Sequence, residues 1–148
     1  MAYFEWADDM VIDGGLIDQD HKKLVDLVNE LHSATTDGRG VEVIEKIMTE
    51  LIGYTHEHLE REEQLMASLH FPNLERHKIG HMHFAKQLNE LQKKYNEGSL
   101  TVASQLSTVL RDWLSLHIRR SDKEIKVFLQ KTSPKTPRRI SSTSIRPG

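Results

Sequence analysis

Along most of the chain, apolar residues recur in alternating steps of three and four, the spacing of a helix that buries one face. The clearest seam runs Leu74, His77, His81, Phe84, Leu88, Leu91 and Tyr95, an unbroken seven-residue repeat in which two histidines hold core positions. An earlier stretch repeats the pattern as His21, Leu24, Val28 and Leu31. Another gives Ile44, Ile47 or Met48, Leu51, Thr55, His58, Glu62 and Leu65, so a histidine and a glutamate again replace apolar residues. The last gives Leu106, Leu110, Trp113 and His117. Period-two alternation is nowhere sustained, so no strand is predicted.

These seams predict four helices. The first spans about 18–35, with Asp18 as its cap, and ends in the turn cluster Thr36-Asp37-Gly38-Arg39-Gly40. The second spans about 41–69. The third opens at Pro72-Asn73 and runs to about Asn96, with Gly98 as a stop. The fourth spans about 100–130. Short connections between them predict an all-α domain over residues 1–130, an up-down-up-down four-helix bundle with an N-terminal arm.

The fourth seam breaks in an informative way. After His117 the next expected positions, Arg120 or Ser121 and then Glu124, are polar. With one residue inserted, the seam resumes as Asp122, Ile125 and Leu129. Residues five apart on a regular helix lie about 140° out of register. A single π-type turn would bring His117 and Asp122 to one face, and such bulges recur at functional sites.

Charge sets a boundary near residue 131. Residues 131–148 hold five basic side chains, no acidic one and three of the four prolines. They are expected to be a disordered basic tail. The preceding 130 residues carry fifteen basic and twenty-two acidic groups, so the bundle is acidic and is not expected to bind nucleic acid. With no cysteine, thiolate metal sites, disulfides and cysteine nucleophiles are excluded. The longest apolar run is the four residues Met1 to Phe4, far short of the about 20 that span a membrane. The N-terminus has no basic, apolar signal-peptide pattern, so a soluble cytoplasmic protein is expected.

The nine histidines carry the chemistry. Seven polar groups occupy inward seam positions: His21, His58, Glu62, His77, His81, His117 and Asp122. Each would cost about 1–3 kcal/mol or more if buried without a partner. Five imidazoles outnumber two carboxylates, so mutual pairing cannot satisfy them all. Metal ions accept the imidazole lone pairs, and the carboxylates offset the cationic charge. The four-residue spacings His58/Glu62 and His77/His81 place both donors of each pair on one face. Seven protein ligands exceed one metal's usual need, and two carboxylates can bridge two metals. A nitrogen and oxygen donor set suits iron, zinc, copper or nickel, leaving the identity open. The remaining histidines His32, His56, His70 and His83 fall off the seams and are expected at or near the surface.

The motifs Ile17-Asp18-Gln19-Asp20-His21-Lys22-Lys23-Leu24, His58-Leu59-Glu60-Arg61-Glu62-Glu63 with Met66, His77-Lys78-Ile79-Gly80-His81, and Trp113-Leu114-Ser115-Leu116-His117-Ile118 with Asp122 resemble those of bacterial haemerythrins. The resemblance covers about residues 1–130. It implies reversible dioxygen binding at a non-haem di-iron centre, by a carrier, storage or delivery protein and not an enzyme. It assigns His77, His81 and His117 to one iron, His21 and His58 to the other, and Glu62 and Asp122 as bridges. It also implies that the Fe2+/Fe3+ pair shares an oxo or hydroxo bridge. Leu24, Leu59, Trp113, Leu114 and Ile118 would wall the oxygen pocket. Leu59 stands where the family often has phenylalanine, and Asp20 where a glutamine usually precedes the histidine. The alternative is a di-iron enzyme or sensor handling peroxide or nitric oxide, which would use the same ligands.

Overall fold

In a computed structural model that describes residues 2–99 and 101–132, the first helix, α1 (Leu16–Thr36), starts two residues before Asp18. Asp18 is therefore not its cap. Asp13 does that work, its carboxylate accepting the backbone N–H groups of Gly15, Ile17 and Asp18 at 2.8, 3.1 and 3.2 Å. Asp18 instead reaches back to the arm, accepting the N–H groups of Ile12 and Gly14 at 2.8 and 2.7 Å. The arm is further fixed by Asn29, which bonds both the N–H and the C=O of buried Phe4, at 2.8 and 2.7 Å. A short 3-10 turn, Asp8–Met10, buries Met10 against the bundle.

The second helix, α2 (Val41–Ser68), follows Gly40, whose φ of +105° an L side chain rarely tolerates. The third, α3 (Leu74–Asn96), opens just after Pro72 and ends before Gly98, at φ +102°. The fourth, α4 (Val102–His117), passes into a π-helical segment, Ile118–Asp122, and continues as α5 (Lys123–Thr132). That segment is the extra residue announced by the broken seam. Arg119 ties it to the arm, donating from Nε to Asp9 Oδ2 at 2.8 Å. Leu100 and the tail beyond Thr132 lie outside the described residues; Lys131 and Thr132 belong to α5.

The molecule is a four-helix bundle. α1 packs on α2 and α4, and α3 completes the ring between α2 and α4. The seams bury the residues expected of them, including Leu24, Val28, Leu31, Leu51, Leu88, Leu106 and Leu110, each fully shielded from solvent. Burying a side chain of this size contributes about 1.5–3 kcal/mol. Ile47 and Met48 are both buried, so α2 uses both of the alternatives at that turn. Among the described residues no strand is present, and no helix is long and apolar enough to cross a membrane.

Candidate metal centre

Towards one end of the bundle the apolar core gives way to polar side chains. His21 from α1, His58 and Glu62 from α2, His81 from α3, and His117 and Asp122 from the α4–π stretch converge there. Glu62 lies at the middle. Its Oε2 is 3.3 Å from His58 Nε2 and 3.7 Å from His21 Nε2. Its Oε1 is 3.1 Å from His81 Nε2 and 3.5 Å from His117 Nε2. Asp122 makes the same division, with Oδ2 3.0 Å from His21 Nε2 and Oδ1 3.0 Å from His117 Nε2. Each carboxylate thus faces two imidazole groups, one with each oxygen. The π turn carries Asp122 round to His117's side of the helix.

His77 stands beside this group. Its ring centroid is 6.3 Å from that of His81 and 6.5 Å from that of His117. Its Nε2 lies 3.6 Å from Glu124 Oε1, and its Nδ1 is buried without a hydrogen-bond partner. The structure therefore brings six of the seven predicted side chains together and leaves His77 adjacent, with a free nitrogen.

Protein groups alone do not satisfy this cluster. His21 Nε2 and His58 Nε2 are 3.0 Å apart, where two lone pairs repel unless a proton or cation intervenes. Both oxygens of Glu62 and of Asp122, together with His81 Nε2 and His117 Nε2, are buried, and the close approaches between them lack hydrogen-bond geometry. Native interiors rarely leave such atoms unpaired. Anionic oxygens and imidazole nitrogens aimed at shared points fit a metal pair better than any pattern of hydrogen bonds.

Outer partners orient two of the rings. Asp20 Oδ2 lies 3.0 Å from His58 Nδ1, and Glu63 Oε2 lies 2.8 Å from His81 Nδ1. A proton on each Nδ1 leaves the Nε2 lone pair free to face inward. His117 is steadied differently, in a stack of Phe84, Trp113 and His117 with centroid spacings of 3.7 and 4.2 Å. Of these neighbours, sequence reasoning singled out Asp20 and Trp113 and missed the roles of Glu63 beside His81 and Glu124 beside His77. Their signal was faint: Glu63 directly follows the seam position Glu62, and Glu124 lies two residues after Asp122. The off-seam histidines lie where expected, His70 and His83 exposed, His32 and His56 half-buried.

The electrostatics favour charge on the rings while no metal is present. Burial opposes it, yet Asp20 and Glu62 push His58 up to about 9, and Asp122 and Glu62 push His117 up to about 10. Burial also opposes charge on His21, but Asp122 and Glu62 raise it. Glu62, despite burial, is held well below the carboxylate range by His117, His21, His58 and His81.

These shifts predict the pH profile of the metal-free fold. Imidazoles raised above their ordinary 6.5 contribute stability that is complete below that pH and lost as pH rises through 9 to 10. Depressed Glu62 contributes above its ordinary 4.5 and loses that contribution in acid. Metal-free stability should therefore peak between about pH 5 and 6.5 and fall towards pH 10, by on the order of 3 kcal/mol from His58 alone. Metal-loaded protein should show the opposite slope over that range, because protons compete with the metal. Urea titrations of both forms at pH 6 and 9 measure this; parallel slopes would refute it.

A cleft of about 450 Å³ opens beside His77 and His117, bordered by Arg76, Arg120, Ser121 and Trp113. Of the five side chains expected to wall an oxygen pocket, only Trp113 lines this cleft. Leu24, Leu59, Leu114 and Ile118 are buried in the apolar core.

Comparison with known proteins accords with this geometry. Residues 15–129 match the hemerythrin HHE cation binding domain. A bacteriohemerythrin of Stenotrophomonas maltophilia is 34% identical over 122 residues, covering 82% of this chain and 78% of the relative. One of Methylococcus capsulatus is 33% identical over 124 residues, covering 83% and 94%. A crystal structure of a hemerythrin leucine-to-alanine mutant superposes with a TM-score of 0.75 at 30% identity, covering 86% of this chain and 97% of that one. A matched domain over most of the chain, on the same four-helix frame, places the protein in the hemerythrin family.

Proposed function

We propose that the chain binds dioxygen reversibly at a non-haem di-iron centre, as a binding protein and not an enzyme. The observation that carries this reading is the double-faced placement of Glu62 and Asp122, each with one oxygen towards each imidazole group. His21 and His58 would hold one iron. His81 and His117 would hold the other, with His77 joining through its unpaired ring nitrogen. Glu62 and Asp122 would bridge the two beside an oxo or hydroxo group. When bound, the iron pair supplies the two electrons and the open coordination position that dioxygen requires.

The protein's own contribution is shape, dryness and proton placement. Leu24, Leu59, Leu114 and Ile118, at most 5% exposed and each within three residues of His21, His58 or His117 along the chain, would help to exclude water from the centre and slow oxidation of a ferrous pair. Asp20 and Glu63 hold the Nδ1 protons of His58 and His81 and keep both Nε2 atoms inward. The Trp113 stack limits rotation of His117.

One observation favours a second reading. The cleft beside His77 and His117 is flanked by Arg76 and Arg120, which suits an enzyme or sensor admitting peroxide or nitric oxide more than a sealed carrier. An optical spectrum decides between them. The reduced, iron-loaded protein should develop a charge-transfer band in oxygen and lose it under vacuum. Irreversible bleaching, or turnover of added peroxide, would favour the second reading.

A further inference from the structure

Asp20 adjoins His21 in the chain but turns to a different ring. Its Oδ2 meets His58 Nδ1 at 3.0 Å, and the residue is 3% exposed. Arg61 clamps the same carboxylate with two bonds of 2.9 Å, Nε to Oδ2 and Nη2 to Oδ1. The Tyr54 hydroxyl adds a third, to Oδ1 at 2.7 Å. Tyr54, His58 and Arg61 all lie on α2, whereas Asp20 comes from α1, so the carboxylate fastens the two helices at the edge of the centre.

This arrangement has an electronic consequence. A carboxylate that accepts the Nδ1 proton fixes the tautomer, leaves Nε2 as the donor atom, and makes the ring a stronger donor. A bidentate guanidinium draws part of that negative charge away from the ring. Arg61 is 33% exposed, so the charge felt by buried His58 is set by a group in contact with solvent. His21 has no such support, its Nδ1 being buried without a partner.

We propose that Asp20 is the positioning residue for His58 and that Arg61 sets how strongly His58 donates, the two together tuning the affinity and reduction potential of the metal at His21 and His58. This rests on the reading of His58 as a metal ligand.

The test uses the full chain with two substitutions, Asp20→Asn and Arg61→Gln. Asparagine keeps an oxygen for the Nδ1 proton but removes the charge. Glutamine at 61 removes the guanidinium and leaves the carboxylate more negative. With Co2+ as probe in competition with a chelator, Asp20→Asn should weaken one of the two sites about 10- to 100-fold. Arg61→Gln should leave that site unchanged or tighter. In the iron-loaded protein the reduction potential should rise in Asp20→Asn and fall in Arg61→Gln. Opposite signs are the signature, because loosened packing would move both variants the same way. Potentials that shift together, or cobalt affinities for both variants within about twofold of the parent while two metals still bind, would overturn the proposal. A parent chain that binds neither cobalt nor iron would overturn the ligand reading, and this inference with it.

Discussion

Replacing His58 with alanine is expected to empty one of two metal positions, while replacing His56 leaves both filled. The second helix offers two overlapping pairs with identical spacing, His56/Glu60 and His58/Glu62. Spacing alone cannot choose between them, but position around the helix can, since residues two apart lie about 160° from one another. His58 is 1% exposed, with Nε2 3.0 Å from His21 Nε2 and 3.3 Å from Glu62 Oε2. His56 is half-buried, Glu60 is exposed, and neither joins the cluster. His58→Ala should therefore lower bound iron from about two per chain towards one and abolish the oxygen-dependent band. His56→Ala should change neither. Metal analysis and spectra on both variants measure this, and the reverse pattern would mean that the wrong face of α2 has been assigned to the site.

The same distinction explains how far the chain could be read before its structure. A seam in steps of three and four fixes which face of a helix turns inward, because Cβ directions follow the backbone. Hence His21, His58, Glu62, His77, His81 and Asp122 are all buried, as their register requires. The π segment was legible for the same reason: a gap of five residues between His117 and Asp122 cannot share a face in a regular helix.

Ring orientation was not legible. A seam position says that His77 points inward but not where its nitrogens lie, because χ1 and χ2 depend on neighbours from other helices. That is why His77 is buried yet turns Nε2 towards Glu124, 47 residues further along the chain. The outer carboxylates were hidden by a related limit. Asp20 reads as a neighbour of His21, but its side chain crosses to His58 on another helix. The start of α1 misled differently. Asp13 and Asp18 are both plausible caps by residue type, and the choice rests on the path of the arm, which brings the N–H groups of Ile12 and Gly14 to Asp18.

Glu62→Gln should cost both metals, a larger loss than any single histidine substitution. Every other side chain in the cluster except Asp122 faces one imidazole group, whereas Glu62 presents Oε2 to His21 and His58 and Oε1 to His81 and His117. Glutamine has nearly the same shape, so packing survives, but one oxygen becomes an NH2 whose hydrogens point where a cation would sit. The charge balance worsens as well, since two divalent cations would then share one buried carboxylate, Asp122. Bound metal should fall from about two per chain to below about half. The metal-free variant provides an independent check. Glu62 helps to raise His58 and His117, so its loss should destabilise the metal-free fold at pH 6, where those rings carry protons. Breaking a buried pair in this way costs about 3–5 kcal/mol. At pH 10 His58 is largely neutral and His117 only half protonated, so Glu62 has lost much of its pairing and the difference should shrink. Denaturation of the parent and Glu62→Gln chains at both pH values, beside metal analysis at neutral pH, measures both effects. Retention of two metals by the variant would show that Glu62 does not join the two halves of the centre.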